Sequence, residues 1–261
     1  MKKYKVYSVS DLGRCRQNNE DNFYTDSYYN ADLTVHKFSH ECIVDTSELV
    51  VAVFDGMGGA DCGEQASLIA AKELADYTYD NAGLFNAEDA IIRMNRAVSE
   101  CAKRLSNNMG STVVMFVCVD DKAFVYNVGD SRAYLLRNGD LKQMSYDHTE
   151  ENVCRQMYLD LGIEYNSALN GSKNILTQHL GIDSSEFIIE PYVSDCIETQ
   201  DNDIFLLCSD GLTSMVDDPT IRSILEKDVL LKKKAELLIA TANSAGGKDN
   251  ITVTLLCVEE E

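Results

Sequence analysis

At 261 residues, with 45% hydrophobic and 25% charged side chains, the chain sits at ordinary globular averages, which excludes disordered, collagen-like and mucin-like classes. Acidic residues outnumber basic ones 43 to 23, a net charge of −20, so the chain lacks the basic face that nucleic acid or an anionic membrane needs. Divalent cations and basic protein partners suit it better.

Taken in chain order, a Val- and Tyr-rich run at 3–9 reads as a strand. The Asp/Ser/Thr-rich stretch within 25–48 reads as a solvated loop ahead of a second strand at 49–54. His36 and His40 lie four apart in it, with Glu41 and Cys42 beside them. On a helix that spacing could bind zinc, but the catalytic Glu of a zincin is missing between them. Helical periodicity follows at 62–79 and 87–105, through Ala66, Ile69, Ala70 and Leu74 and then Ile91, Met94, Val98 and Ala102. Strands are expected at 111–119, 123–128 and 133–137. The last opens a hairpin around Arg137-Asn138-Gly139-Asp140, because Asn-Gly favours the two positive-φ positions of a tight turn. Residues 147–174 carry little apolar pattern and read as a flap. Strands at 188–193 and 203–208, a helix at 232–244 and a strand at 251–258 complete the chain. Lys232-Lys233-Lys234 reads as the solvated face of that helix.

Strands and helices come in blocks, without strict βαβ alternation, which points to α+β layers. No repeat, linker or composition shift marks a boundary, so one domain spanning 1–261 is expected. Nine cysteines without a CxxC pair read as reduced thiols. With no apolar run near the ~18–20 residues of a membrane span, the expected location is the cytoplasm.

Two apolar runs end on Asp-Gly: Val51-Ala52-Val53-Phe54-Asp55-Gly56 and Phe205-Leu206-Leu207-Cys208-Ser209-Asp210-Gly211. A third aspartate, in Asp249-Asn250, stands immediately before the strand at 251–258. One Asp-Gly is ordinary turn chemistry. Repeated at the ends of buried strands, it puts carboxylates on a rigid scaffold that opens at the sheet edge, as a hard-cation site requires. Gly58-Gly59 is too short for a nucleotide-binding loop and reads as a close turn beside such a site.

Six blocks in order carry a family resemblance: Ser10-Asp11-Leu12-Gly13-Arg14-Cys15-Arg16-Gln17-Asn18-Asn19-Glu20-Asp21, Asp55-Gly56-Met57-Gly58-Gly59, Gly110-Ser111-Thr112, Gly129-Asp130-Ser131-Arg132, Ser209-Asp210-Gly211-Leu212 and Asp249-Asn250-Ile251-Thr252. Together they resemble the metal-dependent PP2C-type (PPM) serine/threonine protein phosphatases in their bacterial form, from about Tyr4 to Val258. The resemblance implies a four-layer αββα sandwich of two antiparallel β-sheets flanked by helices. It implies that Asp55 bridges two Mn2+ or Mg2+ ions with the Gly56 carbonyl on one of them. Asp210 and Asp249 would hold the second ion, and Glu20 would reach a metal through water. Asp130 and Asp210 would hold a third, weaker ion, and Arg16 would clamp the substrate phosphate. The reaction implied is hydrolysis of phosphoserine and phosphothreonine by a water that the ion pair activates. The partners implied are phosphorylated proteins, through a cognate serine/threonine kinase or its substrates, met by a monomer with no affinity for nucleic acid or membrane.

Arg16 suits its role because its planar fork offers paired donors to a phosphate, as a lysine does not; the competing reading is a surface pair with Glu20 or Asp21. Met57 stands where eukaryotic members carry a histidine, so no side chain is identified as the general acid. Asn170-Gly171-Ser172-Lys173-Asn174 departs from the flap sequence of bacterial members. His148 reads as a structural hydrogen-bonder. The alternative function is a pseudophosphatase or phosphoprotein-binding regulatory domain; such proteins lose metal carboxylates, whereas Asp55, Asp130, Asp210 and Asp249 are all retained here.

Overall fold

The computed structural model describes residues 2–45, 47–58, 62–165 and 171–260. In chain order these form β1 (Lys2–Asp11), β2 (Asp21–Thr25), β3 (Lys37–Val44), β4 (Glu48–Met57), α1 (Gly63–Asp80), α2 (Ala87–Leu105), β5 (Gly110–Ser111), β6 (Val113–Val119), β7 (Lys122–Val128), β8 (Arg132–Arg137) and β9 (Asp140–Gln143). There follow α3 (Glu150–Asp160), β10 (Tyr192–Val193), β11 (Ile197–Glu198), β12 (Ile204–Cys208), α4 (Asp210–Thr213), α5 (Asp218–Leu225), α6 (Leu231–Ser244) and β13 (Ile251–Glu260).

One sheet has the order β3-β1-β13-β12-β8-β9; the other runs β10-β7-β6-β4-β2, with β11 also on β7 and β5 on β4. Every pairing is antiparallel. The central strands are buried on both faces, and their two-residue period divides them between different cores. Leu49, Val51 and Val53 of β4 meet Phe116 of β6 and Phe205 and Leu207 of β12 between the sheets. Val50, Ala52 and Phe54 pack outward on Leu74 of α1 and Ile91 and Met94 of α2. On the far side, Leu206 of β12 and Val253 of β13 pack on Ile221 of α5 and Leu238 of α6. The result is the expected α+β sandwich with helices on both outer faces. The Phe116 and Phe205 rings, 4.7 Å apart between centroids, join the sheets, and truncating either to alanine should cost about 3–5 kcal/mol.

The turn between β8 and β9 is the expected tight hairpin: Asn138 and Gly139 have φ of 52° and 76°, with Arg137 paired to Asp140. Two expectations are corrected, and two helices are added to them. The 25–48 stretch is not all loop, because residues 37–44 form the edge strand β3 against β1. Its alternation places Phe38, His40, Cys42 and Val44 on one face, and the polar His40 masks the pattern. Of 188–193 only Tyr192 and Val193 form a strand, since Pro191 cannot donate to a ladder and Ile188 is exposed. The flap contains α3, capped by the Thr149 hydroxyl, which accepts from Asn152 N at 3.4 Å, with Glu150 and Glu151 in its first turn. Helix α5 was not anticipated, although Asp217 caps it by accepting from Thr220 N at 3.0 Å and Pro219 stands in its first turn. Gly59 and Asn170, singled out in the sequence, lie outside the described residues.

Candidate active site

The sandwich brings its acidic motifs to one end. Asp21 opens β2 directly opposite Asp55 near the end of β4. Asp210 follows β12 at the start of α4, Asp249 immediately precedes β13, and Asp130 lies in the turn between β7 and β8. Neutral side chains tie these segments together. Asn250 is buried; its Oδ1 accepts from Glu20 N at 2.8 Å, while its Nδ2 donates to the carbonyls of Leu12 and Asn18 at 2.9 and 3.0 Å. One amide thereby shapes the loop that carries Arg16 and Glu20. The Thr112 hydroxyl accepts from Asp55 N at 3.1 Å and meets the Ser131 hydroxyl at 2.7 Å, joining the Gly-Ser-Thr and Gly-Asp-Ser-Arg blocks beneath Asp55. The glycines after Asp55 and Asp210 are required by close approach: a Cβ on Gly56 would strike the Gly63 carbonyl, and one on Gly211 the Asn250 carbonyl.

The electrostatics show what the cluster lacks. Burial first, then the charges of Asp21, Asp210, Asp130 and Asp249, hold the Asp55 carboxyl well above the usual carboxylate range. Burial and then Asp249 raise Asp210 as well, against a hydrogen bond shared with Asp55. Asp130 is pushed up to about 7 by burial, Asp210 and Asp147. Asp21 reaches about 7 through burial, even though its Oδ2 accepts from the hydroxyls of Ser209 and Thr252, each at 2.7 Å. Carboxylates that raise one another's proton affinity in this way favour a cation among them. The donors are all oxygens, a set that suits Mg2+ or Mn2+ and not a thiophilic metal. Among the described residues no three of these carboxylates offer oxygens mutually within 4.8 Å. The set is therefore strung out, with Asp55 and Asp210 as one pair and Asp249 tied to Arg16.

Arg16 donates from Nη2 to Asp249 Oδ2 at 2.7 Å, with its side chain 46% exposed at the rim. The surface pairing weighed in the sequence was with Glu20 or Asp21; the partner found is Asp249. The Glu20 carboxylate lies beside Gly63, where a Cβ would come within 2.7 Å of Glu20 Cδ. Next to Asp130 and Asp210 opens a cavity of about 610 Å³ whose wall includes Arg132, Arg155, Lys173 and Asn174. Arg132 grips Asp147 through Nε and Nη2, at 3.0 and 2.7 Å to Oδ2, and donates to the Tyr134 hydroxyl. His148 accepts from Gly129 N through Nδ1 at 3.1 Å, and burial lowers its pKa, so it serves as a neutral structural acceptor.

The sequence did not single out Asp21, Asn250 or the Arg132–Asp147 pair. Asp21 could have been found from its place next to Glu20 and ahead of the apolar Phe23-Tyr24. Nothing in the sequence marks Asn250 as the bridge to Leu12 and Asn18, which lie more than two hundred positions away.

The family model for protein phosphatase 2C matches residues 8–153. The chain belongs to that family. Among curated relatives, the serine/threonine phosphatase stp of Listeria welshimeri is 34% identical over 257 residues, covering 95% of this chain and 93% of the relative. Among solved structures, the S. agalactiae serine/threonine phosphatase superposes with a TM-score of 0.77 at 26% identity, covering 98% of this chain and 100% of that one. The catalytic domain of the serine/threonine protein phosphatase PstP, in complex with two manganese ions, gives a TM-score of 0.72 at 28% identity, with coverage of 98% and 100%. This protein phosphatase 2C member is thus a metal-dependent serine/threonine protein phosphatase, and the non-catalytic alternative is not favoured.

Proposed function

We propose that Asp55, Asp210 and Asp249, with Glu20 and the Gly56 carbonyl, hold two divalent cations, Mn2+ or Mg2+, and that Asp130 with Asp210 offers a third, weaker position. When bound, the cations supply Lewis acidity, lowering the pKa of a water and offsetting charge on the phosphoryl oxygens. The observation that carries this reading is the convergence of Asp21, Asp55, Asp130, Asp210 and Asp249 in an all-oxygen cluster at the strand ends, where burial first and their charges next raise the Asp55, Asp210, Asp130 and Asp21 carboxyls. Asp55 is the central member, since each of the other aspartates named raises it. Asp21 braces the strand under Asp55 through the Ser209 and Thr252 hydroxyls.

Arg16 orients the substrate phosphate from the rim, where its half-exposed fork has donors beyond the one given to Asp249. The cavity beside Asp130 receives the rest of a phosphoserine or phosphothreonine segment, with Arg132, Arg155 and Lys173 facing acidic residues or the phosphate. Residues 147–174 act as the flap over this cavity, within a single phosphatase domain spanning 1–261. The substrates are phosphorylated cytoplasmic proteins, among them a serine/threonine kinase or its targets, and the enzyme works as a monomer. No helix among the described residues is long and apolar enough to cross a membrane, and the net charge of −20 argues against nucleic-acid binding.

The test is hydrolysis of an aryl phosphate and a phosphothreonine peptide with Mn2+ and with EDTA. Turnover that needs Mn2+ and stops with EDTA is expected. Equal turnover in both would refute the metal assignment.

A further inference from the structure

A second group of donors, unlike the first in chemistry, lies at the open edge of the sandwich. β3 is the edge strand of one sheet and β2 the edge strand of the other. His40 and Cys42, two apart on β3, share a face. Asp26 follows β2 in a turn, with φ of 49°. A carboxylate oxygen of Asp26, a ring nitrogen of His40 and Cys42 Sγ all lie within 4.8 Å of one another. The His40 ring is stacked on Tyr28 at 4.6 Å between centroids and 4° between planes, which restrains its orientation. His40 Nε2 is sealed from solvent without a hydrogen-bond partner, a costly state for a polar atom unless something takes up its lone pair or proton.

We propose that Asp26, His40 and Cys42 form a zinc site that clips the two sheets together at their open edge. Sulfur, nitrogen and oxygen donors select Zn2+ over Mg2+ or Mn2+, and three protein ligands leave a fourth tetrahedral position for water. Donors around such an ion stand roughly 3.3–3.6 Å apart, so side-chain adjustments of about 1 Å close the site. Binding releases the Cys42 thiol proton to solvent as the Zn–S bond forms. The negative charges of Asp26 and Glu41 beside the thiol favour a dication in the proton's place. The site lies about 16 Å along β2 from Asp21, at ~3.3 Å per residue, so it anchors the far end of the strand that enters the carboxylate cluster.

The test uses the full chain with Mg2+ in excess to load the oxygen sites, and Co2+ alone as the probe. One equivalent of Co2+ should produce a near-ultraviolet thiolate-to-cobalt charge-transfer band, which one equivalent of Zn2+ abolishes by displacement. Oxygen ligands produce no such band, so the signal is independent of the phosphatase centre. Cys42→Ser should lose the band, and Asp26→Asn should require at least tenfold more Co2+. Asparagine tolerates the positive φ of residue 26, and the residue is exposed, so the Asp26→Asn titration decides the matter if Cys42→Ser does not fold. Cys15→Ser, beside Arg16, should retain the band. Absence of the band at saturating Co2+, its persistence in Cys42→Ser, an unchanged titration in Asp26→Asn, or its loss in Cys15→Ser would overturn the proposal.

Discussion

Removing the Asn250 amide should unsettle the catalytic loop without touching a carboxylate. Asn250→Ala deletes three hydrogen bonds of 2.8–3.0 Å, and leaves Glu20 N and the carbonyls of Leu12 and Asn18 to find water or remain unpaired. At about 0.5–1.5 kcal/mol net for each bond, the loss is about 2–4 kcal/mol. For a chain of this size that corresponds to a fall in Tm of roughly 5–15 °C. Arg16 and Glu20 sit on the released loop, so turnover of a phosphothreonine peptide should also drop at least tenfold at saturating Mn2+, measured well below the lowered Tm. Asn250→Asp keeps the acceptor for Glu20 N but sets a buried carboxylate against the carbonyls of Leu12 and Asn18 beside Asp249. It should unfold no higher than Asn250→Ala, because the buried charge costs more than the one retained bond contributes. A Tm within 1 °C of wild type together with unchanged kinetics for Asn250→Ala would refute the claim that this amide organises the loop.

Asp210→Asn should reduce turnover at least a hundredfold while folding normally in Mn2+; in EDTA it should raise Tm, since it removes a charge opposed by burial and by Asp249, and wild-type kcat would contradict this. Arg16→Ala should raise KM for a phosphopeptide about tenfold or more with a smaller change in kcat, as loss of a ground-state phosphate clamp requires. An unchanged KM with collapsed kcat would move Arg16 into transition-state stabilisation. Asp130→Ala should leave two Mn2+ ions countable by calorimetry while lowering turnover of phosphoproteins, because the last of three neighbouring dications binds against the repulsion of the others. Loss of all bound metal would defeat that assignment. In EDTA, stability should decline from pH 4 to pH 7. Asp21 and Asp130 titrate near 7 in the fold and near 3.8 unfolded, so the native state holds more protons in that window, worth about 1.4 kcal/mol per pH unit for each group. Urea melts at pH 5 and pH 7 check the sign, and greater stability at pH 7 would reverse it.

Which parts of this enzyme could be read from the sequence follows from how each part is stabilised. β4, β6 and β12 are buried on both faces, so they appear as unbroken apolar runs, and the Asp-Gly pairs ending two of them stand out. β3 is buried on one face only, and His40 occupies an inward position there, which blurs the alternation that would have revealed it. α5 had a legible start in Asp217-Asp218-Pro219, yet its eight residues span barely two turns, too few for periodicity to register. The same distinction runs through the site. Asp55, Asp210 and Asp249 are visible because each stands at the border of an apolar segment. Asn250 and Asp21 act through partners distant in sequence, such as Leu12 for the first and Ser209 for the second. A local pattern carries no trace of bonds that only the closed sandwich creates. The identity of the partner of Arg16 belongs to that group too, since Arg16 and Asp249 meet only where the Asn250 side chain and the Gly247 carbonyl hold the loop of residues 12–20 against the segment leading into β13.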